Sequence, residues 1–142
     1  IGPGSLYTNV LPNLLVKNVS KAIRDSKALK FYISNIMTEP GQTDNYKVSD
    51  LINAIHEHVG KGVMDYCLVN ESDIMPEYIR RYNEEGSELL ELDKSGMLAA
   101  NAPPNKNAVN PTTITSKLFF FFSFQTHHIH NLSELEIFHL HV

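Results

Sequence analysis

The sequence predicts an α/β chain: part of a Rossmann-like, doubly wound, mainly parallel sheet with an irregular C-terminal tail. Three observations predict it. Short runs of β-formers alternate with stretches of helical periodicity as far as Leu92, the rhythm of parallel strands joined by helical crossovers. Met64 to Val69 is nearly all apolar, as expected of a strand covered on both faces. A glycine-bearing turn, Gly2-Pro3-Gly4-Ser5, stands where a strand would pass into a helix.

The elements follow in order. Ile1 directly precedes the glycine turn, so the chain is expected to enter at the end of a strand with further residues upstream. Val10 to Leu15 predicts a short helix with Pro12 in its first turn, where the missing N–H costs nothing. Val16-Lys17-Asn18 reads as a bend. Val19 to Ser26 resumes helical spacing, with Val19, Ala22 and Ile23 on one face. Leu29 to Asn35 is a strand ending before Pro40-Gly41. Asp44 to Ser49 leads into a helix in which Val48, Leu51, Ile52 and Ile55 recur up to Val59, and Gly60 and Gly62 stop it. After the Met64–Val69 strand, Ser72 or Asp73 is expected to cap a helix with Pro76 early, Glu77 in the first turn, and Ile79 and Tyr82 inward. Gly86 closes it, and Glu88 to Leu92 alternates like an edge strand.

The domain reading is a Rossmann-like nucleotide-binding part over 1–95, a polar linker over 96–117 and a Phe/His-rich tail over 118–142. The tail holds six of the seven phenylalanines and five of the seven histidines, with no Lys or Arg. A run such as Phe119 to Phe122 is what thymine-rich noncoding sequence yields when translated, so a retained intron or a frame error is the expectation for its origin. A formal charge of −4 and no Lys/Arg stripe argue against nucleic acid as a partner. No secretory signal opens the chain, and the apolar run Leu118–Phe124 is far short of the roughly 20 residues that span a bilayer, so no membrane partner is expected. A lone cysteine, Cys67, lies in an apolar strand and reads as core. The expected location is the cytoplasm, or an organelle matrix or stroma in a eukaryote. Self-association is left open.

Two stretches could carry chemistry. Gly2, Gly4, Ser5, Tyr7, Thr8 and Asn9 bring backbone N–H groups and hydroxyls to the positive end of a helix, where an anion fits. The competing reading is a plain turn in which Gly4 takes a positive φ and Thr8 or Asn9 caps the helix. Thr38, Gly41, Gln42, Thr43 and Asp44 follow a strand around a Pro-Gly turn, with Thr43 or Asp44 as a helix cap in the competing reading. Together the two predict amides of both turns facing each other with negative charge between them. No catalytic triad is readable. Asp44, Asp50 and Asp65 fit caps and strand ends better than an acid–base pair. The tail histidines His127, His128, His130, His139 and His141 are expected to bind metal only adventitiously, and His56 and His58 lack helical zinc-site spacing.

The run Gly2-Pro3-Gly4-Ser5-Leu6-Tyr7-Thr8-Asn9-Val10-Leu11-Pro12-Asn13-Leu14-Leu15, then Met37-Thr38-Glu39-Pro40-Gly41-Gln42-Thr43-Asp44, then Ser49-Asp50, resembles the C-terminal half of the gluconeogenesis factor family. That family is similar in fold to 2-phospho-L-lactate transferase. The resemblance reaches about Asp93. It implies a nucleotide-type small molecule at the strand ends: a uridine diphosphate sugar in the factor branch, a guanosine diphosphate lactyl donor in the transferase branch. The Gly-Pro-Gly-Ser-Leu-Tyr-Thr run resembles the factor branch, which favours a nucleotide-sugar-binding regulator of carbon metabolism or cell-envelope synthesis. The alternatives are a transferase moving a phosphate-linked group, with Mg as its cofactor in the full-length protein, and an inert truncated product. The family's glycine-rich phosphate loop and its Asn/Asp metal motif would precede Ile1, so this chain alone is not expected to complete a site. At Lys17-Asn18 the sequence departs from the Pro-Gly usual in the family, a change a bend tolerates because Asn adopts left-handed conformations.

Overall fold

A computed structural model of the chain describes residues 1–100 and 135–139. Over these the architecture is α/β. Strands β1 (Phe31–Ile33), β2 (Tyr66–Asn70) and β3 (Leu135–His139) form one sheet in that order. β1 and β2 run parallel, with Phe31 opposite Tyr66, Tyr32 opposite Cys67 and Ile33 opposite Leu68. Between them the chain crosses over through a helix, as parallel pairing demands. Ile1 lies along the far edge of β1: the Ile33 amide donates to the Ile1 carbonyl at 2.9 Å, and the Ile1 amino group to the Phe31 carbonyl at 2.6 Å. Bonds from one residue to two residues flanking its neighbour are the parallel pattern.

The helices are α1 (Leu11–Leu15), α2 (Val19–Asp25), α3 (Val48–Val59), α4 (Pro76–Glu84) and α5 (Lys94–Ala100), and a π-helical turn over Leu6–Val10 runs straight into α1. Asn18 makes the bend before α2 at φ 69°, a left-handed conformation Asn tolerates. In α3, Val48, Leu51, Ile52 and Ile55 are buried while Asn53 and Glu57 are exposed, which is why a 3.6-residue period predicts it. The core joins this face to Leu6, Leu11 and Leu14, to Tyr32 of β1 and to Cys67 and Val69 of β2.

The structure corrects the sequence reading at several places. The tail, expected to be irregular, supplies β3, which pairs antiparallel with β2 from Tyr66–His139 to Asn70–Leu135. Leu135, Ile137 and Phe138 are β-formers, and β2 had an edge to cover. Helix α5 crosses the boundary drawn at residue 95, with Met97 1% exposed in the core. The 96–117 linker from residue 101 onward, and the tail outside β3, lie outside the described residues. Ser72 and Asp73 do not cap α4; Met75 precedes it and makes no side-chain cap bond. No residue of α4 is buried, and Tyr82, expected inward, is 42% exposed. Ala22 is likewise exposed. Glu88–Leu92 is no edge strand. It laces two loops together by single bridges, Met37 with Leu89 and Lys47 with Glu91. Among the described residues no helix is long and apolar enough to cross a membrane.

Candidate functional site

The carboxyl ends of Ile1, β1 and β2 face one edge, and the first turn starts there. At φ 72°, Gly2 takes a backbone conformation that L side chains rarely adopt, and a Cβ on it would stand 2.8 Å from the Ile33 carbonyl oxygen. Only glycine lets the turn leave so close to β1. Ser5 ends the turn, its carbonyl accepting from the amides of Asn9 and Val10 at 3.0 and 2.9 Å. This helical start falls at Leu6, four residues earlier than predicted, so Thr8 and Asn9 lie inside the first turn and are exposed, and neither caps it. Among the described residues no acceptor meets the N–H groups of Gly4 or Ser5. They stand just before ten continuous helical residues.

The second turn comes to the same place. The Ser5 hydroxyl donates to the Glu39 carboxylate and lies 3.2 Å from the Gln42 amide oxygen. Its amides, however, are spent internally. Thr38 N–H donates to the Glu88 carbonyl, Gln42 and Thr43 N–H to the Glu39 carbonyl. Glu39 N–H meets Thr43 Oγ1 at 2.8 Å, and Gly41 N–H meets Asp44 Oδ2 at 2.7 Å. The expectation of two facing sets of free amides is therefore corrected: a Pro-Gly turn this tight uses its donors to hold its own shape. Thr38 and Thr43, 4% and 2% exposed, are builders of that turn; the Thr38 hydroxyl also accepts from Glu88 N–H at 2.9 Å. Gly41 is exposed at φ 76° with open space around its Cα. Asp44 caps the turn; helix α3 is capped by Asp50, whose carboxylate accepts from Lys47 N–H at 2.8 Å.

Sequence reasoning passed over Glu39. A carboxylate between two glycine turns reads as surface until the fold brings Ser5 onto it, and the only signal was its place inside the second motif. Tyr7 is half-buried, its hydroxyl 2.8 Å from that of Tyr46 and its ring edge-on to Tyr46 and His58. The Tyr46 hydrogen bond, with burial adding to it, pushes the Tyr7 hydroxyl up to about 12. Asp65 holds Lys30 at both its amide and its ammonium, 2.9 and 3.3 Å away. Cys67 is fully buried, and burial pushes its thiol up to about 12, away from nucleophilic use. Among the described residues no three His, Cys, Asp or Glu side chains gather as metal ligands. The tail histidines other than His139, a backbone position of β3, lie outside the described residues.

The family model described as 2-phospho-L-lactate transferase CofD matches residues 1–109. The chain belongs to this family. Among CofD-family relatives, a putative gluconeogenesis factor of Clostridium acetobutylicum is 54% identical over 95 residues, 67% of this chain and 21% of that protein. The gluconeogenesis factor of Bacillus subtilis is 44% identical over 93 residues, 66% of this chain and 29% of that protein. A solved structure of a UPF0052 family member from Bacillus halodurans superposes with a TM-score of 0.68 at 45% identity, over 70% of this chain and 32% of the other. The chain thus spans between a fifth and a third of the length of these CofD-family proteins. The family match to residue 109 runs past Asp93, where the motif resemblance was drawn to a close, and takes in α5.

Proposed function

We propose that this chain supplies the carboxyl-edge part of a nucleotide-type ligand site on a doubly wound sheet, and that the protein it represents is a cytoplasmic nucleotide-sugar-binding regulator. One observation carries this reading: the N–H groups of Gly4 and Ser5, free of acceptors among the described residues, open a helical segment at the strand ends. A phosphate takes the outer side of that turn. Glu39 repels an anion placed deeper, and its carboxylate accepts instead from a donor on the ligand, a hydroxyl or a base N–H. Calorimetric titration of the full-length protein with UDP-glucose and with GDP tests the reading. Saturable binding that prefers the uridine compound is expected, and absence of saturation by either at millimolar concentration rejects it.

A second reading, a 2-phospho-L-lactate transferase-like enzyme, is favoured by the description of the family model that matches residues 1–109. It predicts preference for GDP and turnover of a guanosine diphosphate-linked donor onto a flavin-like acceptor. Binding of a uridine compound without turnover would decide against it.

A further inference from the structure

The chain is electrically lopsided. Residues 15–30 hold five of the twelve Lys and Arg but one of the sixteen Asp and Glu, an excess of four positive charges against −8 for the remainder. This stretch lies at the amino ends of the strands, away from the Gly4-Ser5 turn. Ten helical residues from Leu6 carry the chain about 15 Å from the carboxyl edge, α2 follows, and Leu29 and Lys30 lead straight into β1. The Arg24 guanidinium donates to the Val59 carbonyl at the end of α3, which puts Lys61, two residues on, at the same edge. Lys21 pairs with Asp25 and Lys30 with Asp65, whereas Lys17, Lys27 and Lys61 make no hydrogen bond or ion pair among the described residues. Lys17, Lys27 and Lys61 are also exposed. Among them project Leu15, Val16 and Leu29, 55%, 56% and 64% exposed, three of the six large apolar side chains left exposed among the described residues.

The chemistry of a partner follows from this mixture. Lysine is a hydrated point charge on a flexible stem, suited to a diffuse negative field more than to directed pairing, and it is depleted at the cores of protein interfaces. A soluble polyanion, acidic protein or nucleic acid, gains nothing from aliphatic side chains that stand outward between the charges. A bilayer surface with anionic headgroups uses both. We infer that the ridge over residues 15–30, with Lys61, adsorbs the protein to an anionic lipid surface, its lysines at the headgroups and Leu15, Val16 and Leu29 dipping into the interface. The expectation of no membrane partner rested on the lack of a spanning segment, and adsorption needs none. The inference is independent of the nucleotide reading, and the orientation it implies leaves the carboxyl edge facing away from the lipid.

The test is flotation of the whole chain with vesicles of phosphatidylcholine alone and of an equal mixture of phosphatidylcholine and phosphatidylserine. Binding to the mixed vesicles only is expected, falling as added salt screens the surface charge. Lys17→Gln with Lys27→Gln should weaken it about 25-fold, roughly 5-fold for each charge removed. Arg80→Gln with Arg81→Gln, the same change of charge on α4, should leave it within about 2-fold. Leu29→Ser should weaken it about 5-fold at every salt concentration, the effect of burying about half a leucine side chain. All five positions are exposed, so each variant should keep the parent melting temperature. Absence of binding to the mixed vesicles overturns the inference, as does an equal loss from the lysine and arginine pairs. Binding that the lysine pair weakens but Leu29→Ser does not, with equal capture of the parent and Leu29→Ser chains on immobilised poly-glutamate, overturns it in favour of an acidic protein partner.

Discussion

At the scale of single residues, the site is organised around the Ser5 hydroxyl, which meets both Glu39 and Gln42. Ser5→Ala removes the donor that faces Glu39 and leaves a half-buried carboxylate beside Gln42. A hydrogen bond to a charged group is worth about 1.5–3 kcal/mol, so urea denaturation should report a stability loss near 2 kcal/mol. Glu39→Gln in the same background should recover part of it, since a neutral amide tolerates the lost donor better. Gly2→Ala should cost more than the usual substitution in a turn, because the added carbon meets a backbone oxygen that cannot move away. Its measure is again the denaturation midpoint, and a loss below about 0.5 kcal/mol would contradict the close approach.

At the scale of elements, the sequence was legible where local chemistry decides. Pro12 placed α1, Asn18 made the bend, Gly60 ended α3, and the apolar period of α3 named the face that is in fact buried. It was not legible where distant partners decide. The π-helical turn over Leu6–Val10 starts early because Leu6 and Val10 both reach the core, and Thr8, a natural cap, is left inside it. Met97 looked like the start of a linker until α5 was seen packed against α3. The candidate site followed the same division. The glycine turn could be read from Gly2 and Gly4, but the internal use of the second turn's amides needed Glu88 and Asp44 in space. Ile52→Ala, at the centre of the buried face of α3, should cost about 2–5 kcal/mol in thermal or urea unfolding.

For the whole molecule, the titrating groups that burial and hydrogen bonding perturb set a pH window. Cys67 has its pKa raised by burial from 9.0 to about 12, and Tyr7 is raised from 10.0 to about 12 by its hydrogen bond to Tyr46 first and by burial second. Both bind protons more tightly when folded, so the stability they contribute is complete below about pH 9 and is lost as the pH climbs toward 12. His56 is lowered from 6.5, by burial first and by Lys61 second, so its contribution is present above pH 6.5 and lost as the pH falls through its folded value. The Ile1 amino group is likewise lowered from 8.0 by burial, so melting temperatures across pH should form a plateau from about pH 8 to 9 with a fall on each side. Cys67→Ala should flatten the alkaline fall, at a modest overall cost from the smaller side chain. An alkaline limb unchanged by that substitution would refute the assignment.

The carboxylate of Asp93 accepts from both the amide and the hydroxyl of Ser49, at 3.1 and 2.6 Å, while its own carbonyl receives the amide of Met97 at 3.0 Å. One residue therefore bonds to the first turns of two helices, and Gly96 is packed against it so closely that a Cβ would overlap its carboxylate oxygen. The molecule is spliced at this point: α5 cannot detach without stripping the first turn of α3, so hydrogen exchange should release both segments in a single event. Asp93→Ala would break that join, letting α5 fray at low free energy while the rest of the sheet and its crossover keep their protection.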